Sequence, residues 1–190
     1  EWDKEDIEWF ILPSIEFTKY GRQGRTPYQT FRDQIKIKMD TWLKFFGIWV
    51  AEGYTDNEKI AKRHGYRVGI SQVDSKKRSE IKEVLDELPF NYRTEDTNFI
   101  ICNKQLWKYL RQFGNKYQKH IPLEIKSLSK RQLSILFNWL VKGDGHVRKK
   151  TGQINYWTAS KKLADDIQEI ILKLGCLGTI SIQKGKISKI

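Results

Sequence analysis

The chain has 190 residues and a net charge of +12, and 39% of it is hydrophobic, including seven Trp. That apolar content excludes wholesale disorder and suits one compact domain or two small halves. No apolar run is long enough to span a bilayer. Cys102 and Cys176 form no CxxC or Cys/His cluster, which argues against structural zinc and disulfides and fits a reducing, intracellular compartment. The acidic start lacks a signal-peptide h-region and an initiator Met, and so reads as a processed piece.

In chain order, residues 1–39 read as an extended or linker segment. Short apolar stretches at 9–15 and 35–37 flank an exposed Gly/Arg/Gln/Pro loop at 21–27. Asp40 is a good N-cap for a helix to about Ala51, stopped by Gly53. A polar loop, 54–65, precedes an alternating strand at 66–72, which puts Arg67, Gly69 and Ser71 on one face. A helix over 75–88, a hairpin of 90–93 with 98–102 turning at Glu95 and Asp96, and a short helix over 103–113 follow. The order then recurs. Ser129 caps a helix to Lys142, a loop at 146–152 leads to a strand at 154–158, and a helix runs from Ser160 to Leu174. A hairpin over 178–190 turns at Lys184 and Gly185. Ile81, Val84, Leu85 and Leu88 match Ile167, Ile170, Ile171 and Leu174 in spacing, so the chain reads as an internal duplication with pseudo-two-fold symmetry. The halves are 40–128 and 129–190, and the second, being the shorter, reads as truncated.

The charge is uneven. Residues 1–16 hold six acids against one Lys, leaving +17 for the remainder, and such an excess favours a polyanion partner, most often nucleic acid. Both duplicated helices are apolar and end in an acid followed by Gly: Ala51-Glu52-Gly53 and Gly143-Asp144-Gly145. A carboxylate at the negative end of a helix dipole is unfavourable on its own. It becomes sensible beside a hard divalent cation, which takes carboxylate and free carbonyl oxygens. The duplication would bring both acids together, where their repulsion also calls for a cation.

Five stretches carry a resemblance: 42–56 (WLKFFGIWVAEGYTD), 103–113 (NKQLWKYLRQF), 121–128 (IPLEIKSL), 136–145 (LFNWLVKGDG) and 160–175 (SKKLADDIQEIILKLG). The chain resembles LAGLIDADG (dodecapeptide) homing endonucleases of the two-motif, single-chain kind, above all those inserted in inteins. The resemblance covers most of 40–190. It implies an α+β fold, a pseudo-two-fold pair of αββαββα units with a β-sheet saddle for DNA. It places Glu52 and Asp144 on the metal-binding acids, the carbonyls of Ala51 and Gly143 as further ligands, Lys104 on the active-site lysine, and Gln72 on the residue that orders water. Mg²⁺ (or Mn²⁺) is the implied cofactor. The implied partner is double-stranded DNA with a long, specific, pseudo-palindromic or asymmetric site, bound by a monomer with no membrane association.

The sequence departs from the family pattern in places. Trp139 stands where Gly47 stands in the first motif, which implies an asymmetric helix crossing. Lys142 lies at a position often apolar or acidic. Thr158 matches Gln72, and only Lys186 and Lys189 are candidates for a second lysine. On a saddle, Arg67, Gly69 and Ser71 with Gln153, Asn155 and Trp157 would read the major groove, which admits a β-ribbon. Lys62, Arg63 and Arg93, and the run Arg148-Lys149-Lys150, would meet phosphates. His64, His120 and His146 lack ligand spacing and read as surface or phosphate-contact residues. The expected activity is site-specific, metal-dependent hydrolysis of both DNA strands. The alternative is a non-cleaving nucleic-acid-binding relative, an RNA maturase or a DNA-binding regulator. Protein splicing by this chain is not expected, because a nucleophile at its start and a His-Asn pair at its end are both missing.

Overall fold

The computed structural model describes residues 2–19, 26–183 and 186–189. The described residues of 1–39 are largely extended, as expected, and they pair as strands. β1 (Trp9–Leu12) pairs antiparallel with β4 (Ile35–Lys38), and β2 (Ile15–Lys19) with β3 (Tyr28–Arg32), two nested ribbons. Phe10, Leu12, Ile15 and Ile37 are buried. The Phe10 ring stacks on Trp42, with centroids 3.8 Å apart. Much of the expected 21–27 loop lies outside the described residues.

β4 runs straight into α1 (Met39–Glu52). Asp40 is not its cap; it sits in the first turn, where its carboxylate favours the helix dipole and accepts from Arg131 at 2.6 and 2.9 Å. α1 is apolar nearly all round, from Trp42 to Val50, and is accordingly the buried centre of the molecule. β5 (Gly53–Thr55) follows, then α2 (Glu58–His64) in what reads from sequence as a loop. Asn57 caps α2 by accepting from the Ile60 amide, and Gly65 closes it at φ +87.

β6 (Arg67–Ser71), α3 (Ser75–Asp86), β7 (Tyr92–Thr94), β8 (Asn98–Cys102) and α4 (Lys104–Arg111) complete the first half. Asp74 and Asn103 cap α3 and α4. The sheet order is β5-β6-β8-β7, all antiparallel. α5 (Leu123–Lys126) leads to α6 (Lys130–Asp144), capped by Ser129. Then come β9 (Gly145–Val147), β10 (Ile154–Tyr156), α7 (Lys161–Lys173), β11 (Ser181–Gln183) and β12 (Lys186–Lys189). The second half thus repeats helix, hairpin, helix, hairpin. The turn expected at 184–185, and the side chains of Lys186 and Lys189, lie outside the described residues.

The two long helices pack on each other through small residues. A Cβ on Gly47 would lie 2.9 Å from Trp139 Cβ and 3.0 Å from the Leu136 carbonyl. One glycine thus makes room for the Trp139 stem, while the indole stays half-buried with the Lys142 ammonium 4.3 Å from its centre. Asymmetric residues therefore fill the symmetric positions.

Candidate active site

The contact is closest at the C-terminal ends of the two helices. A Cβ on Gly143 would sit 2.3 Å from Ala51 Cβ and 3.5 Å from Glu52 Cγ. Glu52 and Asp144 are therefore delivered side by side, each on the last turn of its own helix. Gly53 and Gly145 let the chain leave directly into β5 and β9, since side chains there would strike Trp49 and Val141.

Burial, and then the charge of Glu52, push the Asp144 carboxyl up to about 6; Lys119 and Lys77 pull the other way. Gln72, at the end of β6, is buried. Its Nε2 donates to Glu52 Oε1 at 3.2 Å, and its Oε1 accepts from the amides of Val73 and Asp74 at 3.0 Å. Those two amides fix which end of the Gln72 amide faces the acid.

Two lysines overlooked in the sequence serve the helix ends. Lys119 is buried and donates to the carbonyls of Trp49 (2.8 Å), Val50 (2.8 Å) and Gly53 (2.6 Å). Burial lowers its ammonium to about 8, although Asp144 and Glu52 hold it up. An ammonium has three protons, and all three are spent on the end of α1. Lys77, in the first turn of α3, donates to the Gly143 carbonyl at 3.3 Å, and among the described residues its other two protons meet no acceptor. Each long helix thus ends against a lysine. Tyr156 lies fully buried near both acids, its phenol pushed well up by burial and by their charge.

Lys104 lies elsewhere. Gln72 follows one end of β6 and Lys104 follows Cys102, which pairs with Arg67 at the other end. Five strand residues separate those ends by roughly 17 Å. The Lys104 ammonium instead lies 4.3 Å from the Phe17 ring centre and 4.6 Å from that of Tyr66. Thr158 accepts from the Ser160 amide rather than copying Gln72.

The donors at the helix ends suit a hard divalent cation. Two adjacent, half-buried carboxylates repel one another, and the last-turn carbonyls of Ala51 and Gly143 adjoin them. Among the described residues no group of three or more His, Cys, Asp or Glu gathers as an alternative centre.

The expected DNA-facing residues fare unevenly. Arg67 is on the outer sheet face but bound to Asp56, with Nε to Oδ2 at 2.7 Å. Ser71 donates to Asn98, and Arg93 to Glu95. Lys62 pairs with Glu58, while Arg63, Lys149 and Lys150 are exposed. Arg148 donates to Gln153, and Trp157 is 43% exposed. Two expectations need correction. Gly69 is buried beneath the Tyr54 ring, only 2.3 Å from where its Cβ would be, so Tyr54 occupies the face there. Asn155 is 4% exposed, on a strand beside β12, and does not present its amide to solvent.

Residues 134–189 match the family described as a LAGLIDADG-like domain. The homing endonuclease I-DmoI, in a complex with DNA and Mn, is similar in fold at a TM-score of 0.54 and 19% identity, over 76% of this chain and 83% of that one. I-WcaI, bound to its DNA recognition sequence, is similar over 81% of this chain and 76% of that one, at a TM-score of 0.54 and 13% identity. Among curated proteins, a stretch of the ATP-dependent Clp protease proteolytic subunit of Chlamydomonas moewusii is 32% identical over 96% of this chain. A stretch of the DNA-directed RNA polymerase subunit beta C-terminal section of Stigeoclonium helveticum is 29% identical over 97% of it. The chain spans only 18% and 20% of those two relatives.

Proposed function

We propose that this chain, which has the LAGLIDADG homing-endonuclease fold, is a site-specific, divalent-metal-dependent DNA endonuclease domain that hydrolyses both strands. The observation that carries the reading is the abutment of Gly143 on Ala51, which sets Glu52 beside Asp144 at paired helix ends. DNA and Mn in the similar I-DmoI complex support the partner and the ion class. Two relatives with unrelated names share this one segment, which supports a domain carried inside host proteins, as in inteins, rather than part of either host's own work.

Glu52 and Asp144 would hold Mg²⁺ or Mn²⁺, with the carbonyls of Ala51 and Gly143 as further oxygen ligands. Such an ion supplies Lewis-acid stabilisation of phosphate charge and lowers the pKa of water. Gln72 holds the Glu52 carboxylate in one orientation and would order water beside it. Lys119 is a positioning residue that fixes the end of α1 and offsets part of the acid pair's charge. Lys77, with protons to spare, is the cation that would meet the scissile phosphate. Water forms a new P–O bond as the bond to one sugar oxygen breaks, that oxygen leaves as a hydroxyl by taking up a proton released from the water, and no side chain becomes covalently attached.

The test is a plasmid carrying the joined flanks of the coding insertion, incubated with Mg²⁺ or with EDTA. Linear product with Mg²⁺ alone is expected. Glu52→Gln and Asp144→Asn should each slow cleavage of both strands by roughly a thousandfold or more while duplex binding is kept or tightened. Near-normal cutting by either variant removes that acid from the site.

A further inference from the structure

A groove of about 490 Å³ opens at the end of the first sheet away from the acids, between β2, α2 and α4. Four cations line it, Lys62, Lys104, Lys108 and Arg111, against two carboxylates, Glu16 and Glu58. Lys104, Lys108 and Arg111 stand at i, i+4 and i+7 on α4, one face of one helix. Glu58 serves both Lys62 (3.2 Å) and Arg111 (3.5 Å). Among the described residues no carboxylate pairs with Lys104 or Lys108.

The floor is aromatic and specifically built. Lys104 sits between the Phe17 and Tyr66 rings, and the Arg111 guanidinium lies 4.8 Å from the centre of Trp107. Tyr66 adopts φ +59, a left-handed conformation that a bulky residue rarely takes, and its ring stands edge-on to Trp107 at 5.1 Å. Rings hold the ammonium in place and leave its charge unspent, which a carboxylate would not do.

Resting on the endonuclease reading, we propose that this groove is a phosphate clamp for the outer flank of the target duplex. The groove opens where β6 ends, roughly 17 Å along the strand from Gln72, so a duplex that follows the strand past Ser71 and Arg67 and over the end of the sheet would come to it. At about 3.4 Å per base pair, that is outside the centre, on the first half's side only. The clamp adds affinity without reading bases, because rigid cations facing a backbone carry no sequence information. The N-terminal ribbon, through Phe17, is thereby part of the DNA-binding surface.

The experiment measures binding of the full chain to a 40-bp duplex of the joined flanks, and to two shortened duplexes, each cut back on one side, across a salt series. The Lys104→Gln/Lys108→Gln variant should bind the long duplex about tenfold more weakly. Its log–log salt slope should be shallower by roughly 2, since each phosphate contributes about 0.9. On one shortened duplex variant and wild type should bind alike; on the other the deficit should persist. Lys108→Gln alone, at an exposed position, should show part of the same deficit and cannot be blamed on misfolding. A deficit on all three duplexes, or on none while the wild type binds, overturns the clamp. Failure of the wild type to bind any duplex overturns the endonuclease reading instead.

Discussion

Gly143 decides how close the two acids come. Gly143→Ala would drive a methyl into Ala51 and force the helix ends apart, at a cost of about 1–3 kcal/mol. Cleavage should fall with stability, because the acid pair would open. Ala51→Gly placed on top returns the lost volume from the other side. The double variant should therefore recover both the melting temperature and the cutting rate, which paired thermal melts and plasmid assays would check. The acids were legible in the sequence because acid-Gly helix ends occurred twice at matching places. The lysines were not. Lys104 and Lys119 both follow the β7–β8 hairpin, and nothing local says which one the tertiary fold buries against α1. Lys119→Met should cost about 2–3 kcal/mol, since three carbonyls lose a buried donor. Chemical denaturation would show it.

Among the elements, the helices that follow Asp74, Asn103, Ser129 and Ser160 begin within a residue of where the sequence puts them, and each of those four side chains caps its helix. α2 was missed although Asn57 and Gly65 bracket it, because its seven residues bury only Ala61 and show no apolar stripe. The N-terminal segment was legible as extended but not as paired ribbons, because each strand's partner lies beyond a gap and local pattern carries no register. One element junction is acid-sensitive. Arg131 on α6 binds Asp40 on α1 and also Asp6. Hydrogen bonding by Arg131 holds Asp40 below the usual carboxylate range, and Ser129 and then Arg131 do the same for Asp6. Both folded values are depressed, so this stability is full above the ordinary carboxylate pKa of about 4 and is lost as pH falls through the folded values. Arg131→Met should flatten the acid limb of a melting-temperature profile below about pH 4–5, where these carboxylates take up protons. An unchanged limb would place the acid sensitivity elsewhere.

At the scale of the whole molecule, the duplicated order and the basic excess were readable, and both follow from composition and spacing. The outward strand faces were read less well, since facing outward along a strand does not ensure exposure: Asn155 is covered and Gly69 lies under Tyr54. Several of the exposed cations are already paired, yet the remaining excess should give a log–log salt slope for duplex binding on the order of −5 to −10. A filter-binding series from 50 to 300 mM salt measures it, and a flat response would exclude nucleic acid as the partner.

The first residues of the chain are fastened to elements made much later. Trp2 donates to the Leu128 carbonyl, Asp6 accepts from Ser129, and the Ile7 backbone exchanges two hydrogen bonds with Gln132. Each pair is separated by 123 to 126 residues. On a ribosome adding roughly 5–20 residues per second, that strap must wait on the order of 6–25 seconds for its seat. Meanwhile Phe10 can already stack on Trp42, so the first half can begin to close while the strap is still unseated. The order of synthesis therefore makes attachment of the strap a late event of folding, one that reports that α6 has arrived.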